Sequence, residues 1–79
     1  MNNIEKYNNA FMETFEIGEE SLGDKLEYQS IEAWDSVGHM ALMAALEDEF
    51  DIFLEMDDIV DFGSYDIGIK TLEKYEVKF

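Results

Sequence analysis

One carboxylate, one hydroxyl and one imidazole lie within five positions: Asp35, Ser36 and His39. They stand at the head of an apolar run that closes with Glu47, Asp48, Glu49 and Phe50. Two chemistries could use such a set. On a helix, Ser36 and His39 are i, i+3 neighbours and could form a nucleophile and its base. A hydrolase also needs an oxyanion hole, a third residue aimed at the imidazole, and a cleft. The serine has glycine on one side only, at Gly38, so the nucleophile-elbow pattern is absent. A chain of 79 residues leaves little room for a cleft, and no enzyme is expected. The second chemistry makes Ser36 an acceptor. Asp35 suits an N-cap, because its carboxylate takes an orphan backbone N–H. Ser36 then falls in the first turn, where unpaired N–H groups and the helix dipole favour an anion. A phosphate esterified to that hydroxyl would sit at the positive end of the helix.

Metal chemistry has less to work with. His39 is the only histidine and there is no cysteine, so neither a histidine pair nor a thiolate set can hold zinc. Its side chain is expected to face solvent or a partner. Asp57, Asp58, Asp61 and Asp66 do not fall into the register of a calcium-binding EF-hand loop. No metal site is expected beyond weak, non-specific divalent binding.

Asp35-Ser36-Val37, followed by an apolar helix ending Leu46-Glu47-Asp48-Glu49-Phe50, resembles the acyl carrier proteins. The likeness covers the whole chain in length and helix layout, and its specific part is Trp34 to Phe50. It implies a phosphoprotein in which Ser36 carries 4′-phosphopantetheine, transferred from coenzyme A by a phosphopantetheinyl transferase (a holo-carrier synthase). Acyl intermediates would ride on that arm as thioesters. Partners would be acyl-loading and acyl-transfer enzymes with basic docking surfaces, recognising Asp35, Val37, Met40, Glu47 and Asp48. The commonest fatty-acid type has acids two and five residues after the serine, where this chain has Gly38 and Ala41. The block therefore looks more like carriers of specialised pathways, polysaccharide-linked or polyketide, than the housekeeping fatty-acid carrier. Peptidyl carriers place Gly-Gly-His or Gly-Gly-Asp before their serine, and Ala33-Trp34-Asp35 departs from that. A rival of another class is an acidic adaptor that binds a basic protein and carries nothing.

The elements that must position Ser36 are helical. Ile4, Tyr7, Phe11 and Phe15 recur on one helical face, with Asn2 or Asn3 as cap and Gly18 as the left-handed stop. Ser21 to Asp35 reads as a long connection pinned by Leu26, Tyr28 and Ile31, with room for one short helical turn. Trp34, just before the cap, is either a hydrophobic staple or a partner contact. The second helix, Ser36 to Phe50, is apolar on most of its circumference and is expected to be buried on several sides. Its Ala41, Ala44 and Ala45 would admit close helices or leave a slot for cargo. Gly38 reads either as room for a partner or the prosthetic arm, or as a tolerated first-turn glycine. A short helical segment led by Asp57 and Asp58 ends at Gly63, and Ser64 caps a last helix with Tyr65, Ile69 and Leu72 on one face. The fold class is all-α: one domain over residues 1–79, a four-helix bundle with three main helices and one short one.

Charge narrows the partners. Asp and Glu number 20 against 5 Lys and no Arg, for a formal net charge of −15. Phosphate contacts need Lys and Arg, so nucleic acid is not a partner on this reading. Anionic membranes are disfavoured for the same reason. The longest apolar run, Met40 to Leu46, is too short to span a bilayer. No basic and apolar leader opens the chain, so the cytoplasm is the expected location and a monomer the expected state.

Overall fold

The computed structural model describes residues 2–79. Four α-helices follow one another: α1 (Asn3–Phe15), α2 (Ser36–Phe50), α3 (Met56–Asp61) and α4 (Tyr65–Glu73), with a 3-10 turn at Glu19–Ser21. The fold is a small all-α bundle, with three main helices and α3 the short one. Among the described residues there is no strand. One antiparallel bridge pairs Glu27 of the long connection with Ser64 before α4.

Each start has a side-chain reason or an acidic one. Asn2 Oδ1 accepts from the Glu5 N–H at 3.0 Å, and Glu5 reaches back to the Asn2 N–H, a reciprocal capping box. Asp35 Oδ1 accepts from the Gly38 N–H at 2.7 Å, and Ser64 Oγ from the Ile67 N–H at 3.1 Å. Helix α3 lacks a side-chain cap but carries Asp57 and Asp58 in its first turn, where the dipole favours anions.

The end of α1 differs from the expectation. Helix α1 stops at Phe15, and the left-handed residue is Glu16 (φ 55°), not Gly18. Asp51 after α2 (φ 54°) and Glu76 after α4 (φ 68°) do the same. In all three the next residue, Ile17, Ile52 or Val77, sends its N–H back to a carbonyl five residues earlier. The repeated signature is aromatic, acid, branched aliphatic: Phe15-Glu16-Ile17, Phe50-Asp51-Ile52 and Tyr75-Glu76-Val77. Burial of the branched side chain closes the turn, and this contact overrides the usual glycine preference. The acid bears two costs, a left-handed backbone and a negative charge at the negative helix end. Asp51→Gly should therefore stabilise the chain by about 1 kcal/mol after glycine's extra unfolded-state entropy is subtracted. For a domain of this size that is a Tm rise of about 4–8 °C by circular dichroism; an unchanged or lower Tm contradicts it.

The core is aromatic. Phe11 is fully buried, with the rings of Tyr7 (4.9 Å), Tyr65 (5.4 Å), Trp34 (5.5 Å) and Phe15 (5.9 Å) around it. Leu42, Met43 and Leu46 of α2 and Leu72 of α4 pack with them, as do Leu26, Leu54, Phe62 and Val77. The Tyr7 hydroxyl donates to the Tyr65 carbonyl at 2.6 Å, and burial pushes this phenol far up. Gly68 allows α4 to lie this close. A Cβ there would stand 2.2 Å from both Phe62 Cζ and the Tyr7 hydroxyl.

Candidate functional site

The start of α2 is built from its own loop. Trp34 occupies the position before the cap and His39 the fourth helical position, the two ends of a hydrophobic staple. Trp34 is 0% exposed, so it is core and not a partner contact. Its Nε1–H donates to His39 Nδ1 at 2.9 Å, and His39 Nε2 lies 2.8 Å from the Ile59 carbonyl of α3. His39 is thus half-buried and joins α2 to α3, rather than facing solvent or a partner. The polar tips of Trp34 and His39 satisfy each other, which lets both rings enter the interior.

Gly38 has a definite cause. A Cβ at this position would lie 1.9 Å from the Ala33 carbonyl oxygen and 3.3 Å from Phe15 Cε1. The connection's own backbone crosses α2 here, so the close approach is internal and involves neither partner nor prosthetic arm. The same contact explains why no acid stands at this position. Gly38→Ala should move the Ala33 carbonyl and lower stability by about 1–2 kcal/mol, the overpacking strain less the helix-propensity gain. Thermal unfolding checks this, and a Tm at or above wild type contradicts it.

The long connection is tied down by backbone. The Tyr28 N–H donates to the Gly63 carbonyl and the Tyr65 N–H to the Leu26 carbonyl, both at 2.9 Å. Leu26 is buried and Ile31 half-buried, as pins should be. Tyr28 stays at the surface, with its ring edge against His39 at 5.5 Å. The short helical turn leads into this connection, at Glu19–Ser21.

These constraints leave an apolar cavity of about 400 Å³ between the start of α2 and α3. Ser36, His39 and Met40 form one wall, Met56, Ile59 and Val60 the other. Tyr28, Phe62 and Gly63 close one end. Ser36 is exposed at the first position of α2 and lines the cavity. The alanines do not make the slot. Ala41 and Ala44 face solvent, and Ala45 lies half-buried toward α1. The helix is consequently less enclosed than its composition predicts, with Val37 77% and Met40 53% exposed. The sequence did hold a signal for the opposite wall: Met56, Ile59 and Val60 stand at i, i+3 and i+4.

The other expected recognition residues fall in different settings. Asp35 is exposed while its Oδ1 is engaged by the Gly38 N–H. Asp48 is exposed. Glu47 is half-buried, and its Oε2 accepts from the Leu54 N–H at 2.9 Å, which fixes the α2–α3 connection. On α3, Asp58 accepts from Lys74 Nζ and the Tyr75 hydroxyl. Those two bonds hold its carboxyl below the ordinary carboxylate value and clasp α3 to the end of α4. Among the described residues no group of three or more His, Asp or Glu side chains could hold a metal ion. None of the helices is long and apolar enough to cross a membrane. No protein-family profile, curated protein or solved structure matches the chain.

Proposed function

We propose that this chain is an acyl carrier protein whose 4′-phosphopantetheine arm is esterified to Ser36. One observation carries the reading: an exposed serine opens α2 and lines an apolar cavity. Loading is a balanced substitution. The Ser36 oxygen bonds to the phosphorus that bears the pantetheine of coenzyme A. The phosphoanhydride bond breaks, adenosine 3′,5′-bisphosphate leaves, and the serine proton goes to a base of the transferase. The new phosphodiester lies against the first turn of α2, where free N–H groups and the dipole favour an anion. The arm's thiol then holds the acyl group as a thioester, so the chain positions and presents while the arm supplies the chemistry.

Partner enzymes with basic surfaces suit a chain of net charge −15. Exposed Val37 and Met40 offer apolar contacts beside the serine, with Asp35 and Asp48 as charge. The absence of acids at Gly38 and Ala41 favours a specialised cargo over the housekeeping fatty-acid pathway. A cytoplasmic, monomeric protein belongs to the same reading. The test is mass spectrometry of the purified chain after incubation with coenzyme A and a broad-specificity transferase. One phosphopantetheine should be added, on the peptide that contains Ser36. No addition with several transferases would favour the acidic adaptor instead.

A further inference from the structure

His39 is seated between two partners that dictate its protonation. An indole N–H only donates, so His39 Nδ1, 2.9 Å from Trp34 Nε1, is the bare nitrogen. Nε2 then carries the hydrogen and donates it to the Ile59 carbonyl at 2.8 Å. The two rings are nearly coplanar, 15° apart with centroids separated by 6.1 Å, as an edge-to-edge hydrogen bond requires. Trp34 is 0% exposed, so no water replaces His39 as acceptor while the core is closed. One neutral imidazole therefore links the aromatic core to both walls of the cavity beside Ser36.

We propose that His39 is a proton-sensitive latch: a proton at Nδ1 unseats the ring, frees α3 from the Trp34 core and loosens the cavity wall. With Nδ1 protonated, two N–H groups face each other and the bond to Trp34 is lost. The ring turns away from the indole, and Nε2 leaves the Ile59 carbonyl with it. A route out exists, because the cavity opens past Met40 and Met56, which are 53% and 70% exposed. Lys25 is the one cation on the connection that carries Tyr28, and it is exposed. Tyr28 meets the ring edge-on, and the same connection carries Glu27 and Glu32 as exposed carboxylates. Phe62 packs against the ring from the α3–α4 junction at 6.2 Å. On α2 the neighbouring charge is Asp35, bound to the Gly38 N–H. On α3 Asp57 and Asp61 are exposed, and Asp58 is turned toward Lys74 and Tyr75. The latch holds whether or not Ser36 carries an arm.

The test uses the full unmodified chain, followed by NMR from about pH 8 to about pH 5, where an imidazole ordinarily changes charge. His39 is the only histidine, so its ring signals are unambiguous. The Trp34 indole N–H signal should move with the same midpoint as the ring. Amide protection at Ile59 and Val60, normalised to the unstructured chain, should fall roughly tenfold, the loss of about one net hydrogen bond. Protection at Phe11 should not follow that midpoint. In His39→Gln, which does not titrate, the fall at Ile59 and Val60 should vanish. Constant α3 protection while the ring titrates, or the same fall in His39→Gln, overturns the proposal. If His39→Gln does not fold, the wild-type co-titration alone decides.

Discussion

Ser36→Ala should gain no phosphopantetheine under conditions that load the wild-type chain completely, while its fold is kept and its stability stays within about 0.5 kcal/mol of wild type. The second half follows from position. Ser36 is exposed at the first residue of α2, and the cap bond is made by Asp35, not by the serine. Alanine is the best helix former, so the helix itself loses nothing. The first half follows from access. The chain's other hydroxyls are either occupied or set in different surroundings. Ser30 Oγ accepts from the Glu27 N–H, and Ser64 Oγ from the Ile67 N–H. Thr71 is buried, with its hydroxyl on the Ile67 carbonyl. Thr14 is half-buried on α1, and Ser21 sits in a 3-10 turn between Glu20 and Leu22 rather than at the start of an α-helix. Intact-mass spectra of both proteins, with circular dichroism to certify the fold, decide the matter. A full mass gain in Ser36→Ala would remove the residue on which the carrier reading rests. Equal silence in wild type and variant would leave an acidic adaptor as the better account.

Helix α2 was fully legible in the sequence, from Asp35 as cap to Phe50 as last turn, because capping chemistry and apolar continuity agree there. The end of α1 was less so. Glycine is the ordinary left-handed residue, and Gly18 drew the stop of α1 three residues past Phe15. What decided the ends was the burial of Ile17, Ile52 and Val77, a tertiary effect that local preference does not encode. His39 illustrates the same limit. A lone histidine near a helix start has no sequence feature that tells it apart from a solvent-facing one. Its partner, Trp34, is five residues away, but the second, the Ile59 carbonyl, is a backbone atom twenty residues on. The cavity was anticipated from small residues within α2 and lies instead between that helix and α3. The bridge of Glu27 to Ser64 holds Tyr28 and Gly63 together at one end of it, a pairing between segments more than thirty residues apart.

Trp34→Ala should leave most molecules unfolded at 25 °C. The side chain is wholly buried and touches the rings of Phe15 (5.3 Å), Phe11 (5.5 Å) and Phe62 (6.5 Å). Truncating a buried Trp to Ala costs about 3–5 kcal/mol in transfer and cavity terms. A single core in a chain this small supplies on the order of 3–5 kcal/mol, with no disulfide to add to it. The loss is therefore as large as the whole stability. A second cost acts locally, since His39 Nδ1 is left without its donor and α3 loses its hydrogen-bonded link to Trp34. Trp34→Phe separates the two effects. It restores most of the apolar volume but not the N–H, so the chain should fold and melt lower, with stability reduced by about 1–3 kcal/mol for the unpaired acceptor and the smaller ring. Far-ultraviolet circular dichroism against temperature reads both variants. A cooperative Trp34→Ala melt within a few degrees of wild type would mean that the aromatic cluster does not hold the start of α2. If Trp34→Phe were as unfolded as Trp34→Ala, the hydrogen bond to His39 would outweigh the packing of the ring. The expected order, wild type above Phe above Ala, assigns the larger share to burial and the smaller to the indole–imidazole bond that fixes α3 beside Ser36.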